Sequence, residues 1–268
     1  MSNEFIQVAT IAGSDSDGSA GAQADLHSFF ARGVYGTSIL VAAVAGNSYA
    51  IHDAHPFPIS FIDSEFKALA DDYQIRAVKT GMLANEAIIN CVANNLEKYP
   101  FGPLILDPVI MTKFGDELLE PEAYEALKNR LVPLAEVITP NFFEQQKLAE
   151  LKIETDEDVI HAARKIKKLG AKNVIAKGRK HAENQTIIRD FVILEDGSEF
   201  WLEAPFYPTN RINGTGDTLS AIITAEIAKG ENVAQAIRIA KEQVTQAIAH
   251  PIAVGHKFGP INHWQITR

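Results

Sequence analysis

The chain has 268 residues, 46% of them hydrophobic, so it can bury a full core and fits one α/β domain over residues 1–268 better than two small ones. Its formal net charge of -9 argues against nucleic acid and anionic membranes as main partners, because an acidic surface repels both. The single cysteine, Cys91, excludes an intrachain disulfide framework and indicates a reducing compartment. No apolar run reaches the length of a membrane span and no signal-peptide pattern opens the chain, so we expect a cytoplasmic protein.

The first predicted unit is a strand over Phe5 to Ala12, a loop of small and acidic residues, and a helix over Ala22 to Arg32. The loop has neither a Walker A lysine nor G-x-G-x-x-G spacing, so it is not an ordinary P-loop or dinucleotide site. Further strands are predicted at 37–45, 75–79, 103–106, 136–138 and 173–176, and further helices at 58–71, 86–98, from 121, and at 142–151, 156–169 and 232–250. Asp196-Gly197 predicts a hairpin that adds an antiparallel edge. This alternation predicts an α/β fold with a doubly wound, mostly parallel sheet and helices on both faces.

A glycine-rich turn at 213–217 runs into a helix whose apolar residues recur at helical spacing. Gly214 and Gly216 let a ligand approach the main chain, and the amides from Gly214 through Thr215 to Asp217 are free donors at a helix N-terminus that suit a phosphate. A carboxylate beside an anion site repels the anion, so Asp217 is better explained as a base that deprotonates an attacking hydroxyl. The alternative is that Asp217 only caps the helix or complements its dipole, and for this residue alone that alternative is favoured.

Polar residues also end the other predicted strands, and the carboxyl ends of parallel strands converge on one crevice. They are Asp15, Asn47, Lys79, Thr80, Asp107, Asn141, Glu144 and Lys177. Carboxylates, amides and a few cations beside an anion site suit metal-assisted phosphoryl transfer, and such oxygen donors suit Mg²⁺. Each residue also has a structural explanation, such as a turn at Asp107 or a helix cap at Asn141. Their common position at one sheet edge favours the site.

Several motifs together resemble the ribokinase superfamily, and more narrowly its vitamin kinase branch of hydroxymethylpyrimidine kinases and Gram-positive pyridoxal kinases. The motifs are residues 11–16, 20–26, 34–37, 79–83, 107–109, Thr139-Pro140-Asn141-x-x-Glu144 and Gly214-Thr215-Gly216-Asp217-Thr218. The resemblance covers nearly the whole chain with its motifs in order. It implies an ATP-dependent kinase that phosphorylates a hydroxymethyl group on a heteroaromatic ring, and a small-molecule vitamer as partner.

The resemblance also implies residue roles. Asp217 matches the catalytic base, and Gly214, Thr215 and Gly216 match the turn that receives the transferred phosphate. Asn141, Glu144 and Lys177, with Thr215, are expected at ATP, and Asp107 and Glu144 at Mg²⁺. The ring pocket is expected at Gly13, Asp15, Ala20, Asp25, Gly46, Met82, Val109 and Thr112. From the residue pattern alone, Asp25 would lie on a helix surface and Met82 in the core.

Three departures from the family pattern bear on the substrate. Gly46 stands where pyrimidine kinases carry Gln or Glu, which disfavours the pyrimidine, and Thr112 stands where the Gram-positive pyridoxal kinases tend to carry cysteine. Asp217 stands at a base position that is commonly cysteine in this branch. The loop through Glu120 and the closing residues 259–263 resemble the pyridoxal group more. We therefore expect a kinase of pyridoxal, pyridoxine or pyridoxamine, with a hydroxymethylpyrimidine kinase as the alternative and a vitamer-binding regulatory pseudokinase as the non-enzyme alternative. Relatives of this kind are often homodimers.

Overall fold

The computed structural model describes residues 4–110, 119–179 and 183–267. The strands are β1 Gln7–Asp15, β2 Tyr35–Gly46, β3 Ile51–Pro56, β4 Ile75–Thr80, β5 Leu104–Leu106, β6 Ala135–Ile138, β7 Asn173–Ala176, β8 Ile187–Ile193 and β9 Glu199–Pro205. The helices are α1 Gly21–Ala31, α2 Ile59–Asp72, α3 Glu86–Lys98, α4 Pro121–Ala126, α5 Phe142–Ala149, α6 Asp156–Lys168, α7 Thr215–Lys229 and α8 Val233–Ala249.

All nine strands form one sheet in the order β3-β2-β1-β4-β5-β6-β7-β8-β9. The pairs from β2 through β7 are parallel, and β3, β8 and β9 are antiparallel to their neighbours. The predicted mostly parallel sheet and the antiparallel edge at β8 and β9 are confirmed. β3 was not predicted, because its six residues include two histidines and an aspartate and all six are exposed, so they show no apolar alternation.

Helices cover both faces of the sheet, which buries the strands on two sides and explains their continuous apolar runs. One core cluster packs α2 to α6 against the sheet around residues such as Phe66, Val92 and Ile166. The other packs α1, α7 and α8 around Phe29, Ile222 and Ala240. Cys91 is buried in the first cluster, as predicted. No helix in the described part of the chain is long and apolar enough to cross a membrane.

The strand order reverses at the centre of the sheet. From β1 to β3 each new strand is added on one side of β1, and from β4 onward each new strand is added on the other side. In such sheets the crevice outside the carboxyl ends of the strands binds ligands. The loops after β1, β4, β5, β6 and β7 end at this edge, together with the N-terminus of α7. The fold therefore places most of the predicted site residues at one edge.

Candidate active site

The glycine-rich turn is fixed by tight packing against the loop after β1. Gly214 precedes α7 with φ 76°, a left-handed conformation that favours glycine. A Cβ on Gly214 would lie 2.2 Å from the backbone oxygen of Ser19, so no larger residue fits without moving that loop. The Thr215 hydroxyl donates to the Ile212 carbonyl at 2.7 Å, which turns its side chain back on the preceding residues. The amides that open α7 are therefore held at a defined edge of the crevice.

Asp217 lies in the first turn of α7 and faces the loop after β1. Its Oδ1 accepts a hydrogen bond from the Gly21 amide at 3.2 Å and lies 3.9 Å from the Lys79 ammonium. Only 20% of the side chain is exposed. Burial raises the pKa of Asp217, Lys79 and Lys177 lower it, and the Asp107 carboxylate raises it. The net result is a pKa above the usual carboxyl value, which suits a general base.

A buried ion pair lies beneath Asp217. Lys79 and Asp25 are both fully buried, and the Lys79 ammonium donates to Asp25 at 2.6 Å. The Thr10 hydroxyl donates to the other Asp25 oxygen at 2.6 Å. The expectation from the helix pattern that Asp25 faces solvent is wrong, because α1 turns this residue toward β4, where Lys79 compensates its charge. Burial raises the pKa of Asp25 to about 7 although Lys79 lowers it. Burial lowers the pKa of Lys79, but the Asp25 and Asp217 carboxylates raise it overall, so Lys79 stays a cation next to Asp217.

A second ion pair faces the glycine-rich turn from the other side. Lys177, just after β7, lies 3.3 Å from Asp107, just after β5. A Cβ on Gly216 would lie 3.2 Å from the Lys177 ammonium and 3.3 Å from an Asp107 oxygen, so both charges sit directly over this glycine. Burial lowers the pKa of Lys177, but the Asp107, Glu144 and Asp217 carboxylates raise it overall. Lys177 is therefore a cation held in place by neighbouring carboxylates, and not a side chain at a strand end that points into solvent.

Asn141 and Glu144 form a capping box at the start of α5. The Asn141 side chain accepts from the amides of Phe143 and Glu144, and Glu144 accepts from the Asn141 amide at 2.7 Å. The other Glu144 oxygen accepts from the Ile110 amide at 2.9 Å, which ties α5 to the loop after β5. Burial raises the pKa of Glu144 to about 7. Asn141 therefore caps α5, as the structural explanation predicted. Asn141 and Glu144 also lie beside the loop that carries Asp107.

Residues expected at the ring pocket lie around β1. A Cβ on Gly13 would lie 2.8 Å from Met82 Cε and 3.7 Å from Val44 Cγ2, so the three residues adjoin one another. Met82 is half-buried rather than a full core residue. Val109 has φ 41°, which is rare for a β-branched residue and concentrates at functional sites. Ala20 donates its amide to Asp15 at 3.0 Å, so both belong to the fold of the loop after β1.

The structure brings Gly46 less close to these residues. It lies near the outer edge of the sheet, where its amide donates to the Ser16 hydroxyl at 2.9 Å and its carbonyl accepts from the same hydroxyl at 2.8 Å. The atoms nearest to a Cβ at this position belong to Ala50 and Ile51. Thr112 lies outside the described residues.

Comparison with known proteins gives the family. The model of the phosphomethylpyrimidine kinase family matches residues 15–262. The chain belongs to this family. A hydroxymethylpyrimidine/phosphomethylpyrimidine kinase of Haemophilus influenzae is 47% identical, covering 98% of each chain. One of Bacillus subtilis is 38% identical, covering 97% of this chain and 95% of the relative. The resemblance to vitamin kinases is confirmed.

Solved structures with the same fold include pyridoxal kinases. The ADP complex of Bacillus subtilis pyridoxal kinase has a TM-score of 0.89 and 37% identity, covering 97% of this chain and 98% of that chain. The Staphylococcus aureus pyridoxal kinase in complex with AMP-PCP and pyridoxal has a TM-score of 0.88 and 32% identity, covering 98% and 96%. The ribokinase-like fold class is thereby confirmed for this family member.

The carboxylates of this site fit an Mg²⁺ ion that is held partly by substrate phosphates. They fit a metal held by protein side chains alone less well. Within residues 4–110, 119–179 and 183–267, no group of three or more His, Cys, Asp or Glu side chains could hold a metal ion. The Asp107 carboxylate points at Gly216, and Glu144 stands behind the same loop. Magnesium is commonly held by one or two carboxylates plus substrate phosphates, so these residues fit it once ATP is present.

Sequence reasoning missed three features of the site. It treated Lys79 as one polar strand end among several, whereas Lys79 is fully buried against Asp25. It did not single out Val44. The alternation of side chains along β2 could have indicated that Val44 faces the side of the sheet where the ring pocket is expected. It left residues 259–263 without a role, and no local signal reveals that they contact the glycine-rich turn from 46 or more residues away.

Proposed function

We propose that this protein is an ATP-dependent kinase that phosphorylates the hydroxymethyl group of hydroxymethylpyrimidine, a heteroaromatic ring, and then adds a second phosphate to the phosphomethylpyrimidine so formed. The observation that carries the proposal is Asp217, a largely buried carboxylate at the N-terminus of α7 near two lysines, the fully buried Lys79 and the partly buried Lys177. This arrangement combines a base with an amide-rich phosphate turn, as phosphoryl transfer to an alcohol requires.

In the first transfer, Asp217 takes the proton of the ring hydroxymethyl group as its oxygen attacks the terminal phosphorus of ATP, the bond from that phosphorus to the bridging oxygen breaks, and ADP leaves. In the second transfer, an oxygen of the new phosphate attacks in the same way and ADP leaves again. The amides of Gly214, Thr215 and Gly216 then stabilise charge on the transferring group, helped by the dipole of α7. Lys177 adds a positive charge over Gly216. Asp107 and Glu144 would hold Mg²⁺, which neutralises phosphate charge when bound. Asn141, by capping α5, orients the backbone near the ATP phosphates.

We assign the ring pocket to the residues that the resemblance suggested. Gly13, Met82 and Val109 would contact the ring, with Asp25 beneath it and Asp15 and Ala20 in the covering loop. Gly46 would contribute from the rim, and Thr112 is assigned to the pocket on the resemblance alone. The proposal also includes one catalytic domain over residues 1–268, which the single nine-stranded sheet supports. It further includes a homodimer.

The substrate proposal departs from the expectation drawn from the sequence. Gly46 favoured pyridoxal over the pyrimidine, but the similar relatives carry the names of pyrimidine kinases. Pyridoxal remains the second candidate, because pyridoxal kinases share the fold at 32% to 37% identity. A vitamer-binding pseudokinase has less support, since a binder has no need of a shielded base.

The test is ADP release by the purified protein with Mg²⁺ and ATP, offered hydroxymethylpyrimidine, its phosphate and pyridoxal in parallel. We expect turnover on the first two and slower turnover on pyridoxal. Turnover on pyridoxal alone would restore the expectation from Gly46. Saturable binding of a vitamer without ADP release would favour the pseudokinase.

A further inference from the structure

Residues 259–263, which we call the closing segment, run alongside the glycine-rich turn. The Asn213 amide donates to the Gly259 carbonyl at 3.0 Å, and the Ile261 amide donates to the Asn213 carbonyl at 3.1 Å. Asn213 and Pro260 thus form a parallel bridge. Both main-chain groups of the residue that precedes Gly214 are therefore held by the closing segment.

The same segment also reaches the residue that follows Asp217. His263 Nε2 lies 2.9 Å from the Thr218 hydroxyl, and Thr218 is fully buried. The Thr218 amide donates to the Gly214 carbonyl at 2.8 Å, which closes the first turn of α7. The closing segment therefore holds both ends of the 214–217 stretch.

The imidazole of His263 is suited to a neutral hydrogen bond. Burial, with a smaller contribution from the nearby His27 ring, lowers the pKa of His263 to about 4. The two ring centroids are 5.4 Å apart. At neutral pH the imidazole is uncharged, so its contact with Thr218 adds no charge near Asp217.

The closing segment is itself anchored in the body of the protein. Ile261 is fully buried, the Asn262 amide donates to the Ala247 carbonyl at 3.1 Å, and the Asn262 side chain donates to the His250 carbonyl at 2.8 Å. A Cβ on Gly259 would lie 2.5 Å from the Arg211 guanidinium, so the backbone passes very close to this side chain. The closing segment therefore links the C-terminal end of α8 to the glycine-rich turn, and these contacts can limit the movement of the turn.

We propose that the closing segment clamps the glycine-rich turn, and that His263 is a positioning residue that fixes the first turn of α7 through Thr218. This inference rests on the proposed function, because it assigns the clamped turn to the transferring phosphoryl group. Within the described part of the chain, His263 hydrogen-bonds to Thr218 and not to Asp217 or to the amides of the turn, so its effect is on the placement of those amides and of Asp217.

The test uses His263→Phe, which keeps a ring, and Thr218→Val, which keeps the shape of the side chain. One neutral hydrogen bond is lost in each, so we expect kcat to fall about 3- to 10-fold with KM for the ring substrate unchanged. The double variant should be no slower than the slower single variant, because both remove the same contact. His263→Gln, which can still reach Thr218, should recover part of kcat. Trp264→Ala is the matched control, since this neighbouring residue is 81% exposed, and its kcat should be unchanged.

Amide hydrogen exchange gives a readout that does not depend on turnover. His263→Phe should speed exchange in residues 214–218 while leaving the middle of α8 protected, and Trp264→Ala should change neither. If the wild-type protein turns over none of the ring compounds, the proposed function is wrong. Amide hydrogen exchange still tests whether the closing segment holds the glycine-rich turn. Unchanged exchange, multiplicative losses in the double variant, or a rise in KM with kcat intact would each overturn the proposed role of His263.

Discussion

Asp217 is the residue on which the proposed chemistry depends most directly. Its carboxylate is held by the Gly21 amide and stands near the Lys79 ammonium, so its position does not depend on substrate. Replacing Asp217 with Asn keeps the shape and removes the base. We expect kcat to fall by about 10²- to 10⁴-fold, the usual contribution of a positioned base, as measured by ADP release. A folded variant with intact turnover would show that Asp217 only caps α7.

The pH dependence of turnover should report the same carboxylate. Burial raises the pKa of Asp217, with the two lysines opposing this, and a base must be deprotonated to act. The rate kcat/KM should therefore fall as pH falls through the raised pKa, with a midpoint above the ordinary carboxyl value of about 4. Circular dichroism at each pH separates this loss from acid unfolding. A profile that stays flat down to the ordinary carboxyl range would contradict the assignment.

At the level of elements, two capping boxes of the same kind allow a matched test of Asn141. Asn141 with Glu144 caps α5, and Thr155 with Asp158 caps α6. Asn141→Ala and Thr155→Ala should each lower the free energy of unfolding by about 1 kcal/mol. Only Asn141→Ala should also reduce the rise in melting temperature produced by Mg²⁺ and AMP-PCP, because only α5 begins beside the proposed phosphate site. Equal ligand-induced shifts in both variants would leave Asn141 as a structural cap alone.

The two ends of α7 allow a second comparison. Gly214 and Gly230 both have positive φ, but a Cβ on Gly214 would collide with the Ser19 oxygen, whereas a Cβ on Gly230 has nothing within 4 Å among the described atoms. Gly230→Ala should cost about 1 kcal/mol through backbone strain alone and keep kcat. Gly214→Ala should cost more and abolish most turnover, because Ser19 must move. Urea unfolding and ADP release measure both effects, and similar behaviour of the two variants would argue against a fixed turn.

For the whole molecule, the expected homodimer has an available surface at the sheet edge. All six residues of β3 are exposed, including Ile51 at 63%, and among the described strands β3 pairs on one side only, with β2. Unpaired edge strands readily pair with another chain. Light scattering should give about twice the 29.3 kDa chain mass, and Ile51→Glu should shift the protein toward the monomer. Ile187→Glu, at another exposed apolar residue, is the control, and a monomeric wild type would contradict the expectation.

The alternation of strands and helices could be predicted because each element has its own periodic pattern. α3 has the predicted bounds, and β7 does too, since strong caps and apolar runs define them locally. The glycine turn that opens a helix at 214–217 was also predictable, because glycine before an apolar helical pattern marks a helix start whatever surrounds it. These are the features that neighbouring residues impose on one another.

Other features depend on residues far apart in the chain, and only the tertiary structure decides them. The helical pattern of α1 predicts that Asp25 faces solvent, yet α1 packs against β1, and Asp25 is buried in an ion pair with Lys79 on the neighbouring strand β4. Glu144 meets the Ile110 amide, and His263 meets Thr218, across 34 and 45 residues. A sequence shows which residues could compensate a buried charge or complete a hydrogen bond. Which of them meet is set by how the layers pack, because burial makes an unpaired polar group too costly to leave in place.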